Sequence, residues 1–175
     1  MQIILNKISN SELHQKLHSL IAEERRITHE VLQHICEVDT RKLYLQMAYP
    51  SLFEYLVKAH GYSESSAQRR IDSARLMAQI PAAKLGQKIE SGAISLNQVS
   101  KIQQALRSVK KTTGISVSSN VKSQILTRVE NKSLRETERI LMEEFICACF
   151  AQLIINLDMR NKPERSSFNF YRKGH

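Results

Sequence analysis

The sequence predicts an all-α protein, and two observations support this fold class. Helix-forming residues dominate the 175-residue chain, whereas glycine (5 residues), proline (3 residues) and aromatic residues (6%) are scarce. A capping box, in which Glu or Gln follows a serine three residues later, occurs four times ahead of apolar residues at helical spacing. These boxes begin at Ser9, Ser51, Ser95 and Ser133. With 42% apolar residues to form a core, the chain is expected to fold as a multi-helix bundle.

The first 50 residues predict three helices. The first helix carries an apolar stripe formed by Leu13, Leu17, Leu20 and Ile21. A second helix is predicted from about Thr28, with its own stripe at Val31, Leu32, Ile35 and Val38. A third segment spans residues 41–48, with Asp39 as its cap, and ends at Pro50 because proline cannot continue the helical hydrogen-bonding pattern.

Residues 51–80 predict two helices that are joined by a tight turn. The first helix ends at Gly61, a residue that can adopt the left-handed backbone with which many helices end. Ser63 caps the second helix, whose apolar stripe is narrow because it consists of Ala67, Ile71 and Ala74. The outward positions of this helix are then Glu64, Ser65, Gln68, Arg69 and Asp72, with Arg70 and Arg75 on the flanks.

Two more helices, a linker and a C-terminal region follow. Pro81 is predicted to start a short helix that ends at Gly92, and the box at Ser95 begins a helix with a basic C-terminus. A long helix begins at Ser133 and is apolar nearly all round from Phe145 onward, so it either inserts into the core or pairs with a second chain. The predicted organisation is a helical domain (1–111) that contains the two-helix unit (about 51–80), a linker (112–120), C-terminal helices with an expected dimerisation role (121–159) and a basic flexible tail (160–175).

Positive charge is unevenly distributed along the chain, which has a formal net charge of +9. Residues 1–60 hold seven basic and seven acidic side chains, whereas residues 61–111 hold nine basic and three acidic ones. The excess therefore begins where the second helix of the two-helix unit begins. A basic region suits a polyanionic partner, because neutralising phosphates releases condensed counterions. The alternative is a soluble protein that is basic for unrelated reasons.

Residues 61–71 read Gly-Tyr-Ser-Glu-Ser-Ser-Ala-Gln-Arg-Arg-Ile, which resembles the helix-turn-helix pattern of DNA-binding proteins. In that pattern the glycine permits the turn, Tyr62 fills the space between the helices, and the serine caps the second helix. The first turns of the second helix then face the major groove, where N–H groups and polar side chains meet phosphates and base edges. The sequence departs from the pattern in the polar residues before Gly61 and in the acidic residues Glu64 and Asp72 on the reading face.

Longer stretches resemble two protein families. Residues 63–106 resemble the DNA-binding core of the ParB chromosome-partition family, with a recognition helix, a short Pro-initiated helix and a Gly-Ala-Ile-Ser-Leu step at 92–96. Most of residues 13–145 resembles the helical region that precedes the nuclease module in certain bacterial HNH endonucleases. The segments that carry this second resemblance are 37–45, 49–56, 61–64 and 67–71.

The second resemblance implies a helical fold and a link to DNA, but not nuclease activity. In that family a ββα-metal module follows, with His-Asn-His metal and base residues and, in many members, paired Cys-x-x-Cys motifs. The histidines here are scattered and mostly upstream, at His14, His18, His29, His34, His60 and His175. An enzyme is therefore not expected, and no cofactor or metal is predicted. His14 and His18 have an i, i+4 spacing that can bind a metal, but no third ligand lies nearby, and a solvated polar face is the simpler interpretation.

The resulting prediction is a non-catalytic protein that binds double-stranded DNA as a homodimer, with residues 134–157 as the dimer contact. The residues expected to contact DNA are Ser65, Gln68, Arg69, Arg70, Arg75, Lys84, Lys88, Lys101, Lys110 and Lys111. No apolar segment is long enough to cross a bilayer, so no membrane partner and a cytoplasmic, nucleoid-associated location are predicted. The alternatives are a protein-interaction module in which the two-helix unit only packs, and an inactive remnant or subunit of an HNH endonuclease.

Overall fold

The computed structural model describes residues 5–80, 82–114 and 116–145, apart from the side chains of residues 82–84. Its elements are, in chain order, a 3-10 turn (Leu5–Lys7) and helices α1 (Asn10–Arg41), α2 (Leu43–Gln46), α3 (Leu52–Glu54, continued by a π-helical turn at Tyr55–Ala59), α4 (Glu64–Gln79), α5 (Ala82–Glu90), α6 (Leu96–Thr113), α7 (Ser119–Val129) and α8 (134–145). Every described element is helical, which confirms the all-α prediction.

All four predicted capping boxes lie at helix starts. The serine hydroxyls accept hydrogen bonds of 3.1 to 3.3 Å from the backbone N–H three residues on, at Glu12, Glu54, Gln98 and Glu136. At Ser95 and Ser133 the box is complete, because the Gln98 and Glu136 side chains also accept from the serine N–H, at 2.8 and 2.9 Å. A cap of this kind contributes about 1 kcal/mol by satisfying an otherwise unpaired N–H.

Helix α1 is continuous over 32 residues, so the predicted break before Thr28 is wrong. Residues 22–27 contain neither glycine nor proline, and Arg26 pairs along the helix with Glu23 (2.7 Å) and Glu30. The helix ends at Arg41, after which Lys42 adopts a left-handed φ of 53°. Asp39 therefore lies inside α1 and does not cap a third helix.

The two halves of α1 have different surroundings. All residues from 10 to 27 are exposed, whereas Leu32 (0% exposed) and Ile35 (6%) are buried. In the second half, Leu32 packs in a cluster with residues of α4 and α5, and Ile35 packs in a cluster with residues of α3 and α4. The first half therefore presents its apolar side chains to solvent.

The buried residues form two hydrophobic clusters that share α4. The larger cluster joins α1 and α4 to α5 through α8, and its most buried members are Leu32, Leu76, Leu85, Ile94, Val99, Ile102, Ile125, Leu126 and Val129. The smaller cluster joins α1, α3 and α4 through Ile35, Leu52, Leu56, Ala67, Ile71 and Ala74. The two alanines let α4 approach its neighbours closely. Each large aliphatic side chain that is fully buried contributes about 1.5–3 kcal/mol to the free energy of folding.

The predicted order of helix, turn and helix is present around Gly61. Gly61 has a φ of 69°, and the amide of Tyr62 donates to the carbonyl of Leu56 at 3.2 Å. Ser63 caps α4 as predicted. The outward placement predicted for Asp72 is wrong, because this residue is fully buried.

The C-terminal helices pack into the same core as the rest of the described chain. Helix α6 continues to Thr113 and α7 begins at Ser119, so the segment between them is shorter than the predicted linker of 112–120. Helix α8 is amphipathic where it is described: Ile140 is buried, whereas Met142 is 68% exposed. No long apolar helix occurs within 5–80, 82–114 and 116–145. The apolar part of the predicted C-terminal helix and the basic tail lie at 146–175, outside the described residues.

Candidate nucleic-acid interface

Helices α4 and α6 present polar side chains around one open cavity of about 240 Å³. The residues that line it are Ser65, Gln68 and Arg69 of α4, Asn97, Ser100, Lys101 and Gln104 of α6, and Leu134 of α8. Among the described residues, no acidic side chain lines this cavity. We call the set Ser65, Gln68, Arg69, Asn97, Lys101 and Gln104 the α4–α6 polar face.

The register of α6 explains how this face forms. Asn97, Lys101 and Gln104 follow one another at i, i+4 and i+7, which places them on one side of the helix. Val99 and Ile102 fall on the side that faces the core, and both are fully buried. The box at Ser95 fixes the start of α6, so the polar side is aligned with the first turns of α4.

A buried carboxylate lies next to the polar face. Asp72 is 0% exposed and accepts hydrogen bonds from Ser100 Oγ (2.8 Å), Gln68 Nε2 (2.8 Å) and Arg107 Nη1 (2.7 Å). A second bond from Arg107 Nη2, at 3.3 Å, makes the ion pair bidentate. We call these four residues the Asp72 cluster. Because the carboxylate is paired and buried, it does not add open negative charge to the exposed side of α4.

The two cationic side chains of the polar face differ in their partners. Lys101 Nζ lies 2.9 Å from Glu138 of α8, and both side chains are more than 40% exposed. Exposed pairs of this kind contribute about 0–1 kcal/mol, so a stronger anion can displace the glutamate. Arg69 is half-buried, and its guanidinium has no ion-pair or hydrogen-bond partner within the described part of the chain. Both cations can therefore reach an anionic ligand.

Three other residues that were predicted to contact DNA instead contact side chains of the same chain. Arg70 lies over the ring of Tyr62, with 4.3 Å from its guanidinium carbon to the ring centroid. Arg75 donates to both carboxylate oxygens of Asp39, at 2.8 and 3.3 Å, and this hydrogen bonding raises the pKa of Arg75. Lys88 forms an ion pair with Glu130, the residue that follows α7. The positive charges that were predicted to contact phosphates therefore already have partners within the protein.

The remaining predicted contacts lie elsewhere. Lys110 and Lys111 end α6, at the opposite end of that helix from Asn97. Lys110 lines a separate cavity of about 320 Å³ with Lys122 of α7, where burial, and secondarily the charge of Lys110, lowers the pKa of Lys122. The side chain of Lys84, in α5, lies outside the described residues. The structure thus brings together Ser65, Gln68, Arg69 and Lys101, and leaves Lys110 and Lys111 apart from them.

Several residues near the cavities did not emerge from the sequence. Among them are Asn97, Gln104, Arg107 and Lys122, which carry charged or amide side chains. Asn97 and Gln104 lie on the same side of α6 as Lys101. The i, i+4, i+7 spacing of these three residues after the Ser95 box could have predicted this. Arg107 had no such signal, because its partner Asp72 is brought to it by tertiary packing.

The described residues contain no group of three or more His, Cys, Asp or Glu side chains positioned to bind a metal ion. Among the helices that the structure describes, none has the combination of length and apolarity that crossing a membrane requires. The chain matches no protein-family model, and neither a curated protein nor a solved structure shows significant similarity to it.

Proposed function

We propose that the protein binds double-stranded DNA, without cleaving it, through the α4–α6 polar face. The observation that carries this proposal is the convergence of Ser65, Gln68 and Arg69 with the polar side of α6 around one concave surface that lacks acidic lining residues among those described. Arginine, glutamine and asparagine are the side chains that pair with base edges in the major groove, and lysine contacts phosphates. The face combines these types.

The start of α4 adds a second element to the proposed contact. Its first backbone N–H groups lie at a helix N-terminus, which favours phosphate oxygens through unpaired donors and the helix dipole. Ser63 satisfies one of these groups, the N–H of Ser66, at 3.4 Å. Glu64 remains exposed in the first turn and is expected to lower affinity.

We propose that the chain is related to the helical region of bacterial HNH endonucleases and carries the ParB-like segment of 63–106. A homodimer contact through 134–157 rests mostly on residues outside the described part of the chain. The alternative function, a protein-interaction module, is favoured by the exposed apolar side chains of α1.

A binding titration tests the DNA proposal. Fluorescence anisotropy measures binding of the full chain to a labelled duplex and to a labelled single strand, with heparin as the competitor. The measurement is made at about 50 and about 200 mM salt, because affinity that depends on phosphate contacts falls strongly between these concentrations. We expect duplex binding that weakens steeply as salt increases. Absence of duplex binding at the lower salt concentration would contradict the proposal.

The Lys101–Glu138 pair provides matched variants with opposite expected effects. Lys101→Ala should weaken duplex binding and reduce the salt slope by about 1, because one phosphate contact is lost. Glu138→Gln removes the competing carboxylate and should strengthen binding a few-fold. Arg41→Ala removes one positive charge from an exposed pair with Glu37 and serves as the control. Equal losses for the Lys101 and Arg41 variants would indicate nonspecific charge attraction instead of the proposed face.

A further inference from the structure

The exposed half of α1 carries a row of large apolar side chains. Their exposed fractions are 41% for Leu13, 54% for Leu17, 56% for Leu20, 37% for Ile21 and 47% for Ile27. We call these five residues the α1 stripe. None of them lines the cavity of the α4–α6 polar face. Leu13, Leu17, Leu20 and Ile21 follow one another at helical spacing, so they form a patch, and large exposed apolar patches mark interaction sites.

The spacing of the stripe identifies the kind of partner. Leu13, Leu17, Leu20, Glu24 and Ile27 follow one another in steps that alternate between four and three residues. This 3.5-residue average is the pattern by which two helices pack side by side in a left-handed coiled coil. The complementary surface is therefore another helix with the same spacing, and α1 itself supplies one.

We propose that a second copy of this chain packs antiparallel on the α1 stripe, with the two-fold axis between Leu17 and Leu20. The exposed stretch covers residues 10–27, and its midpoint lies between residues 18 and 19. An antiparallel pair centred there covers the whole exposed stretch of both copies, over about 27 Å of helix. It also places the packed body of each copy at opposite ends of the pair.

Charge favours this orientation over the parallel one. In the antiparallel pair, Lys16 flanks the seam opposite the partner's Glu23, and the two-fold axis repeats this contact. Glu23 pairs with Arg26 of its own helix in an exposed bridge, which its carboxylate can share with the lysine. A parallel pair would instead place Glu24 in the seam against the partner's Glu24, which is a repulsive contact between like charges. In the antiparallel pair each Glu24 lies near the edge of the overlap, where its carboxylate reaches water.

Light scattering after size exclusion, followed by sedimentation velocity over a range of concentrations, tests the association. We expect the full chain to be a dimer at micromolar concentrations. The double variant Leu17→Glu with Leu20→Glu should weaken the dimer at least about tenfold, because two central apolar layers are lost. The control, Leu45→Glu with Met47→Glu, changes two exposed apolar residues outside both the α1 stripe and 134–157, and should leave the dimer intact.

Circular dichroism shows whether the stripe variant remains folded, which is expected because both positions are exposed. A monomeric wild-type chain, or a stripe variant that dimerises as tightly as wild type, would overturn the proposal. A monomer whose residues 13–27 are protected from hydrogen exchange would do the same, because another part of the same chain would then cover the stripe.

Disulfide trapping tests the orientation. In a background in which Cys36, Cys147 and Cys149 are serine, the Leu17→Cys and Leu20→Cys chains are mixed and oxidised. We expect cross-links mainly between the two different variants, because Leu17 faces the partner's Leu20 in the antiparallel pair. Efficient cross-linking of each variant with itself, and little between them, would show a parallel pair and overturn the proposed arrangement.

Discussion

Two sets of polar side chains lie between α4 and α6, and they differ in their exposure to solvent. In this comparison the Asp72 cluster is the buried group and the α4–α6 polar face is the open group. The Asp72 cluster is built around a fully buried carboxylate with three hydrogen-bonding neighbours. The α4–α6 polar face lies beside it, open to solvent, and includes an arginine without a partner among the described residues. Gln68 belongs to both groups. The difference lies in Arg69 and Lys101, because the first has no partner among the described residues and the second has only an exposed ion pair.

The buried group is expected to act on stability and the open group on binding. Removing one partner of a buried ion pair leaves an uncompensated charge, which is costly, whereas losing an exposed cation changes stability little. Substitutions in each set of side chains test this separation.

Arg107→Ala should have the largest effect, a decrease of about 2–3 kcal/mol in the free energy of unfolding. The estimate is below the range for fully buried pairs because the Arg107 side chain is 47% exposed, but the Asp72 carboxylate would lose its cation. Urea denaturation measures the change. Combining this substitution with Asp72→Ala should cost less than the sum of the two single changes, and strict additivity would contradict the coupling.

Gln98→Leu extends the test to a second buried polar group. The Gln98 amide donates to the carbonyls of Val129 (3.1 Å) and Lys132 (2.9 Å) and to Thr137 Oγ1 (3.1 Å). Leucine keeps the approximate volume and removes these donors, so we expect a loss of about 2 kcal/mol in denaturant titrations. Gln104→Leu, at an exposed position on the same helix, is the control and should change stability by less than about 0.5 kcal/mol.

Arg69→Ala should separate binding from stability. We expect duplex affinity to decrease by about 1–2 kcal/mol, because a positioned guanidinium is lost from the proposed interface. The free energy of unfolding should change by less than about 0.5 kcal/mol. If the substitution lowers stability and leaves duplex affinity unchanged, Arg69 has a structural role. That result would contradict the assignment of the open group to binding.

Arg75→Ala should have the smallest effect. Its guanidinium pairs with Asp39 in a partly exposed bridge, so we expect a stability loss of at most about 1 kcal/mol. Duplex binding should change no more than for the Arg41 control. A large loss of affinity would show that Arg75 leaves Asp39 to contact DNA, as the sequence alone had suggested.

The sequence predicted those features of the fold that depend on local interactions. The serine caps, the Gly61 turn and the apolar stripe of α4 each involve residues within a few positions of one another. The continuity of α1 was missed because Thr28 resembles a helix start, while the Arg26 ion pairs that support the helix leave only a weak signal. The burial of Asp72 could not be predicted, because Ser100 and Arg107 lie 28 and 35 residues further along the chain.

On α4 the sequence predicted Ser65, Gln68 and Arg69, whereas on α6 it predicted Lys101 but not Asn97 or Gln104. Charge counting placed Arg69, Arg75 and Lys88 in one basic region, although two of the three bind acidic residues that are distant in the sequence. Partner choice of this kind depends on which helices meet, and that information is absent from local spacing. The side chains that remain open are consequently fewer than the charge excess suggests.

The backbone conformation at Gly61 suits a D-amino acid better than an L-amino acid. A methyl group built on this glycine would meet nothing within 4 Å, so the site has ample room, yet its φ of 69° is unfavourable for an L-residue. L-alanine should therefore destabilise the protein by about 1–2 kcal/mol. A mirror-image D-alanine, introduced by chemical ligation, would favour this backbone and restrict the unfolded chain, and so is expected to raise the melting temperature.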